Sequence, residues 1–229
     1  MHPTAMNNAA QYFDAYSASI PVGASQPRVI DIGAQAVNGS LRQVTPANFE
    51  YVVLDFQEAK GVDMLLEDPY ILPLADASVD IVLSSSCFEH SEMFWVVFLE
   101  IMRVLKPTGL FYLNAPSAGS FHRYPVDCWR FYPDSGRALI SWAKRNDLNP
   151  EILESFTQIG GRWQDYIAVF LKDSAELERF PARILDRKKD FENGQRSGNP
   201  DLLNHTQICQ NDRKLDVISN ITAEKMFVR

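Results

Sequence analysis

The sequence predicts a doubly wound α/β fold: a mainly parallel sheet with helices on both faces. Two observations lead there. Short apolar runs recur up to residue 171, several of them ending in Asp, Gly, Ser or Asn, and amphipathic stretches of helical period lie among the later ones. Strands that alternate with helices build a parallel sheet covered on both sides, and right-handed crossovers leave few topologies. In such sheets ligands bind beyond the carboxyl ends of the strands, where the strand order reverses.

The elements follow in order. Ala9 to Ser17 reads as a short helix carrying Tyr12, Phe13 and Tyr16, and Pro21 to Pro27 as a loop. Arg28-Val-Ile-Asp-Ile-Gly33 reads as a buried strand followed by a tight turn. Tyr51 to Asp55, Val79 to Ser84 and Gly109 to Asn114 repeat the pattern. Glu92 to Leu105 has apolar residues at helical spacing and is stopped by Lys106-Pro107, because proline cannot continue a helix. Asp134 to Asn146 predicts another amphipathic helix, and Ile152 to Ile159 and Asp165 to Leu171 two more strands. From about Lys172 polar residues crowd in, and Asn193 to Pro200 reads as a loop. The predicted organisation is a domain over 1–171 and a C-terminal extension over 172–229, partly helical or disordered, with a homodimer contact one of its open roles.

Composition narrows the class. Of 229 residues, 46% are hydrophobic and 22% charged, as in an ordinary globular protein, and the net charge of −7 opposes binding to nucleic acid. The densest basic cluster, Arg187-Lys188-Lys189, is flanked by acids and reads as solvated surface. Three widely spaced cysteines, Cys87, Cys128 and Cys209, form neither a disulfide framework nor a zinc pattern and suggest reduced thiols in the cytoplasm. No apolar run reaches the ~20 residues that cross a bilayer, so a membrane partner is not expected. His205 and Cys209 share a helical spacing, but two ligands do not make a metal site, and no metal is expected.

The chemistry-bearing residues gather at the strand ends. Gly33 lets the backbone bend and a ligand approach. Asp55 closes the second strand roughly twenty residues after Asp31, where an acid accepts from ribose hydroxyls. Further on, Asp68-Pro69-Tyr70 precedes Leu72-Pro73, Ser78-Val-Asp80 enters the third strand, and Leu105-Lys-Pro-Thr-Gly109 precedes the fourth. In this order and spacing, from Val29 to Leu171, the chain resembles the class I S-adenosyl-L-methionine-dependent methyltransferases of the small-molecule type, methyltransferase-11-like. The resemblance implies a Rossmann-like, seven-stranded sheet and S-adenosyl-L-methionine as cofactor. It implies that Asp31 and Gly33 shape the loop under the methionine part, Asp55 holds the ribose, and Asp68, Pro69 and Tyr70 face the adenine. Ser84 and Ser85 fall near the amino-acid end. The family's second and third loop glycines are replaced by Gln35 and Val37, so the turn is built differently, with Asn38 or Gly39 at positive φ. Gln35 either reaches the cofactor's carboxylate or points to solvent.

Two clusters remain. In Ser86-Cys87-Phe88-Glu89-His90, His90 is either a general base or a helix cap packed in the pocket wall. The segment Asn114 to Pro133 is too aromatic and charged for a plain connector. There His122 and Asp127 make a base with its orienter, Arg123 or Arg130 a clamp for phosphate or carboxylate, and Tyr124 and Trp129 stacking faces; the bland alternative is a lid with an internal Arg–Asp pair. The reading that results is methyl transfer to a small-molecule acceptor, an oxygen of a sugar or related metabolite. The alternatives are a non-catalytic scaffold of the same fold, and a nicotinamide-dependent oxidoreductase, which the missing Gly-x-Gly-x-x-Gly disfavours.

Overall fold

The apolar runs assemble into one nine-stranded sheet, seen in a computed structural model that describes residues 3–23, 25–35 and 39–207. The strands are β1 (Arg28–Ile32), β2 (Glu50–Asp55), β3 (Met64–Leu65), β4 (Val79–Ser85), β5 (Leu105–Pro116), β6 (Glu151–Gln158), β7 (Asp165–Leu171), β8 (Phe191–Arg196) and β9 (Asn199–Leu203). Their spatial order is β3-β2-β1-β4-β5-β7-β6-β8-β9. The first five run parallel, and the remainder are joined antiparallel. The order reverses between β1 and β4, which sets the switch point there.

The central strands β4 and β7 are buried along their whole length, which explains why they read as unbroken apolar runs. Alternate residues feed two cores. Ile30, Val82, Phe111 and Phe170 face α2 (Phe94–Val104) and α3 (Ser135–Lys144). Val29, Ile81, Tyr112 and Ile167 face α1 (Pro3–Tyr16) on the other side. Helix α1 buries Ala5, Asn8, Ala9, Tyr12, Phe13 and Tyr16, one stripe at helical spacing. It begins six residues before the predicted start, because its polar first turns dilute the apolar period.

Two predicted features differ. Lys106-Pro107 does not form a turn before the fourth strand. Helix α2 ends at Val104 and β5 takes up the whole Leu105–Gly109 stretch, with a register shift opposite Val79/Ile81. Lys106 Nζ there pairs with Asp80 at 2.8 Å, and Asp80 also accepts from the Arg28 amide. The polar stretch after 171, over its described part, combines short helical turns with strands that join the sheet. It holds two 3-10 helices, at Ser174–Arg179 and Ile184–Asp186, and a hairpin that extends the sheet. The residues read as a loop are that hairpin: Asn193 (φ 49°) and Gly198 (φ 75°) supply its positive-φ positions. Cys209 lies outside the described residues, and His205 meets the Asn193 side chain instead, at 3.0 Å.

Glu154 ties the added segment to the rest. Its buried carboxylate accepts from Tyr16 Oη at 2.5 Å, the Ile184 amide at 2.7 Å and the Leu185 amide at 2.9 Å. One acid thus joins α1, β6 and the segment past 171. Tyr16→Phe keeps the ring and removes one donor from a buried acid, so it should cost about 1–3 kcal/mol in unfolding free energy by urea titration.

Candidate active site

A cavity of 390 Å³ opens over the carboxyl ends of β1, β2 and β4, within the range of small-ligand pockets. Gly33 forms its base. The Gly33 amide donates to Leu54 O at 2.8 Å and the residue sits at φ +72°. A Cβ there would stand 2.4 Å from Cys87 Sγ, so the missing side chain is what lets the β1 turn meet the end of β4. Burial pushes the Cys87 thiol up to about 12, which rules out a thiolate nucleophile at neutral pH.

Around this base the predicted cofactor residues separate into two groups. Gly33, Gln35, Asp55, Pro69, Tyr70 and Ser85 line the cavity; Asp31, Asp68 and Ser84 do not. Asp55 is 3% exposed, and its Oδ1 accepts from the Gln57 amide at 2.8 Å, which fixes the acid at the strand end. Ser85 Oγ is buried on the wall without a hydrogen-bond partner. Asp68 Oδ1 accepts from the Tyr70 amide at 2.8 Å, a turn that delivers Pro69 and Tyr70 to the wall while Asp68 stays outside. Arg103 holds the next stretch through Leu72 O, Leu74 O and Asp76. Asp31 is fully buried behind the turn. Its Oδ2 accepts from Tyr51 Oη, and burial pushes its carboxyl up to about 7. In the altered glycine loop, Gly39 is at positive φ (108°); Val37 and Asn38 lie outside the described residues.

The second wall comes from the 3-10 turn Phe88–His90 and the segment after β5. His90 lines the cavity. Its Nδ1 donates to Val126 O, which leaves Nε2 with the lone pair. Burial lowers the His90 pKa below 6.5. Tyr124 also lines the cavity, and its hydroxyl donates to Gln35 Oε1 at 2.8 Å across the mouth. His122 does not reach the cavity; its ring stands edge-on to His90 at 4.9 Å and against Trp163 at 4.5 Å. Asp127 accepts two bonds from Arg130, at 2.6 and 2.8 Å, and one from the His122 amide at 2.7 Å. Arg130 and that amide bond hold its carboxyl well below the usual range. Asp127 and Arg130 are therefore committed to each other, and neither lines the cavity. Trp129 turns away, donating to Ser91 O and packing on Phe94 and Trp95, while Arg123 is exposed.

Sequence reasoning missed Glu89, Cys87, Pro125 and Val126 as site residues. Glu89 is 1% exposed, burial pushes its carboxyl up to about 8, and its Oε2 has no hydrogen-bond partner. An acid set between two aromatic side chains in an otherwise buried run was the available signal.

Comparisons with known proteins bear on the domain and the fold. Residues 28–113 match the family described as methyltransferase domain. A curated relative from Mycobacterium bovis (strain BCG / Pasteur 1173P2), described as an uncharacterized methyltransferase, is 54% identical over 43 residues, 19% of this chain. That match spans only 17% of the relative's length. The fold is similar to 1,6-didemethyltoxoflavin-N1-methyltransferase of Burkholderia thailandensis, solved with bound 1,6-didemethyltoxoflavin and S-adenosylhomocysteine. The TM-score is 0.51 at 14% identity, covering 73% of this chain and 77% of that one. It is also similar to the YcgJ protein of Bacillus subtilis, with a TM-score of 0.50 at 15% identity, covering 76% and 100%.

Gly33→Ala combines a left-handed φ, worth about 1–2 kcal/mol, with the clash on Cys87. Thermal denaturation should show a large loss for Gly33→Ala alone and a partial recovery when it is combined with Cys87→Ala.

Proposed function

We propose that the chain is an S-adenosylmethionine-dependent methyltransferase that transfers a methyl group to an oxygen of a sugar or related small metabolite. The observation that carries the reading is the cavity at the switch point with the Asp55 carboxylate on its wall. The residues present fit the cofactor. Asp55 is an acceptor for ribose hydroxyls, Pro69 and Tyr70 offer an apolar surface for adenine, and the unpartnered Ser85 hydroxyl and Gln35 offer polar contacts to the amino-acid end. When bound, the cofactor supplies a methyl group already made electrophilic by a positive sulfur. The protein's work is alignment and exclusion of water, and alignment alone is worth up to ~7–11 kcal/mol.

The acceptor side follows from the segment after β5. Phe121, Tyr124 and Tyr132 are exposed aromatic faces suited to a sugar ring, and the exposed Arg123 suits an anionic group on it. Of the three residues expected to carry chemistry, only His90 lines the cavity, so it is the residue we assign to the acceptor hydroxyl, acting through the Nε2 lone pair. His122 and Asp127 act behind it, as positioning groups.

Calorimetric titration with S-adenosylhomocysteine should give saturable heat, and NAD none; heat with NAD alone overturns the reading. Asp55→Ala should weaken S-adenosylhomocysteine by at least tenfold. His90→Ala should leave that affinity intact and cut transfer of labelled methyl to a responsive member of a sugar and nucleotide-sugar panel by about 10²–10⁴.

A further inference from the structure

Three side chains from two separate segments converge beside the cavity: the carboxylate of Glu89 and the imidazoles of His90 and His122, with ligand atoms within 4.8 Å of one another. Each imidazole is held from the same nitrogen. His90 Nδ1 bonds Val126 O. His122 Nδ1 lies 3.3 Å from Ser120 O and 3.4 Å from Asp127 Oδ2. A carbonyl can only accept, so Nδ1 carries the proton in both rings and both Nε2 atoms keep a lone pair. Histidines that ligate metals are oriented by such carbonyl and carboxylate partners.

The third member is the independent sign. Glu89 is 1% exposed, and its Oε2 has no hydrogen-bond partner. Its Oε1 lies 3.7 Å from His90 Nε2. A buried polar atom left unpaired is costly, and a cation between the carboxylate and the two imidazoles would satisfy it. Arg130 acts on Glu89 through its charge without bonding it: its two Nη atoms are engaged on Asp127, Trp129 O and Ser120 O, and its buried Nε has no partner.

We propose that Glu89, His90 and His122 form a site for a divalent transition metal of the Zn²⁺ class. Two imidazoles and one carboxylate are a ligand set that Zn²⁺ accepts with a position left open. His90 is on the cavity wall, which sets the site next to the cavity. What the metal does there rests on the methyl-transfer reading: an acceptor hydroxyl held on it would give its proton to solvent more readily. The His90 Nε2 lone pair is then a metal ligand instead of a base. The binding site itself stands without that reading.

The test uses tag-free, chelator-treated full-length protein titrated with Co²⁺, followed by its visible ligand-field absorption. One equivalent should produce saturable bands that Zn²⁺ displaces. His122→Ala removes a half-exposed ligand outside the cavity and keeps the fold testable; Glu89→Gln keeps the shape of the buried acid. Each should weaken Co²⁺ at least tenfold. No bands in the wild type, or bands unchanged in both variants, overturn the proposal. Calorimetry with S-adenosylhomocysteine on the same preparations reports separately on the cofactor site of the methyl-transfer reading, so absent bands with intact nucleoside binding sink the metal site alone.

Discussion

The candidate site exists because the turn after β1 can touch the end of β4. Neighbouring strands lie about 4.8 Å apart, and chains leaving their ends must either splay or collide. Here they do neither, since Gly33 has no side chain and Cys87 fills the space that one would take. The contact sets the base of the cavity. It leaves Asp55 and Ser85 on either side of the glycine, each carried by a strand whose path is dictated by pairing with β1. The backbone is then free to expose polar ends of strands to a ligand, while the strand bodies remain apolar and covered.

A second constraint organises the segment after β5, which has no regular structure between β5 and α3. The Asp127 carboxylate is nearly inaccessible, and it is satisfied by Arg130 and by the His122 amide. A charge pair so enclosed is maintained only with its bonds complete. The Glu89 carbonyl accepts from the Cys128 and Trp129 amides, which fastens the same segment to the 3-10 turn before α2. Much of the segment's charge is therefore spent internally. Tyr124, Pro125 and Val126 are what it turns toward the cavity.

This explains what could be read from the chain and what could not. Runs such as Glu50–Asp55 and Val79–Ser85 announce themselves as apolar stretches of a covered sheet, and their terminal Asp55 and Ser85 fall at the ligand edge by the geometry of a parallel sheet. The hairpin at 191–203 stayed hidden because its strands carry no apolar run: β8 buries mainly polar residues and glycine, and β9 opens with exposed Asn, Pro and Asp. Within the site, strand-end residues were legible where a period fixes direction. In the irregular segment nothing in the spacing separates Tyr124, which faces the cavity, from His122, which stands behind His90. Glu89 escaped notice for a related reason: its neighbours in space, His122 and Arg130, are more than thirty positions away in the chain.

The two borders of the sheet carry a consequence of their own. On one side it ends in β3, only two residues long; on the other it ends in β9, where Pro200 lacks an amide hydrogen and Asp201 adds a negative charge. Among the described residues, neither border offers a long row of unsatisfied donors and acceptors to a foreign strand. The hairpin past residue 190 thus shields the antiparallel strand β6 from edge-to-edge association, a route to aggregation that a wide open sheet would otherwise leave exposed.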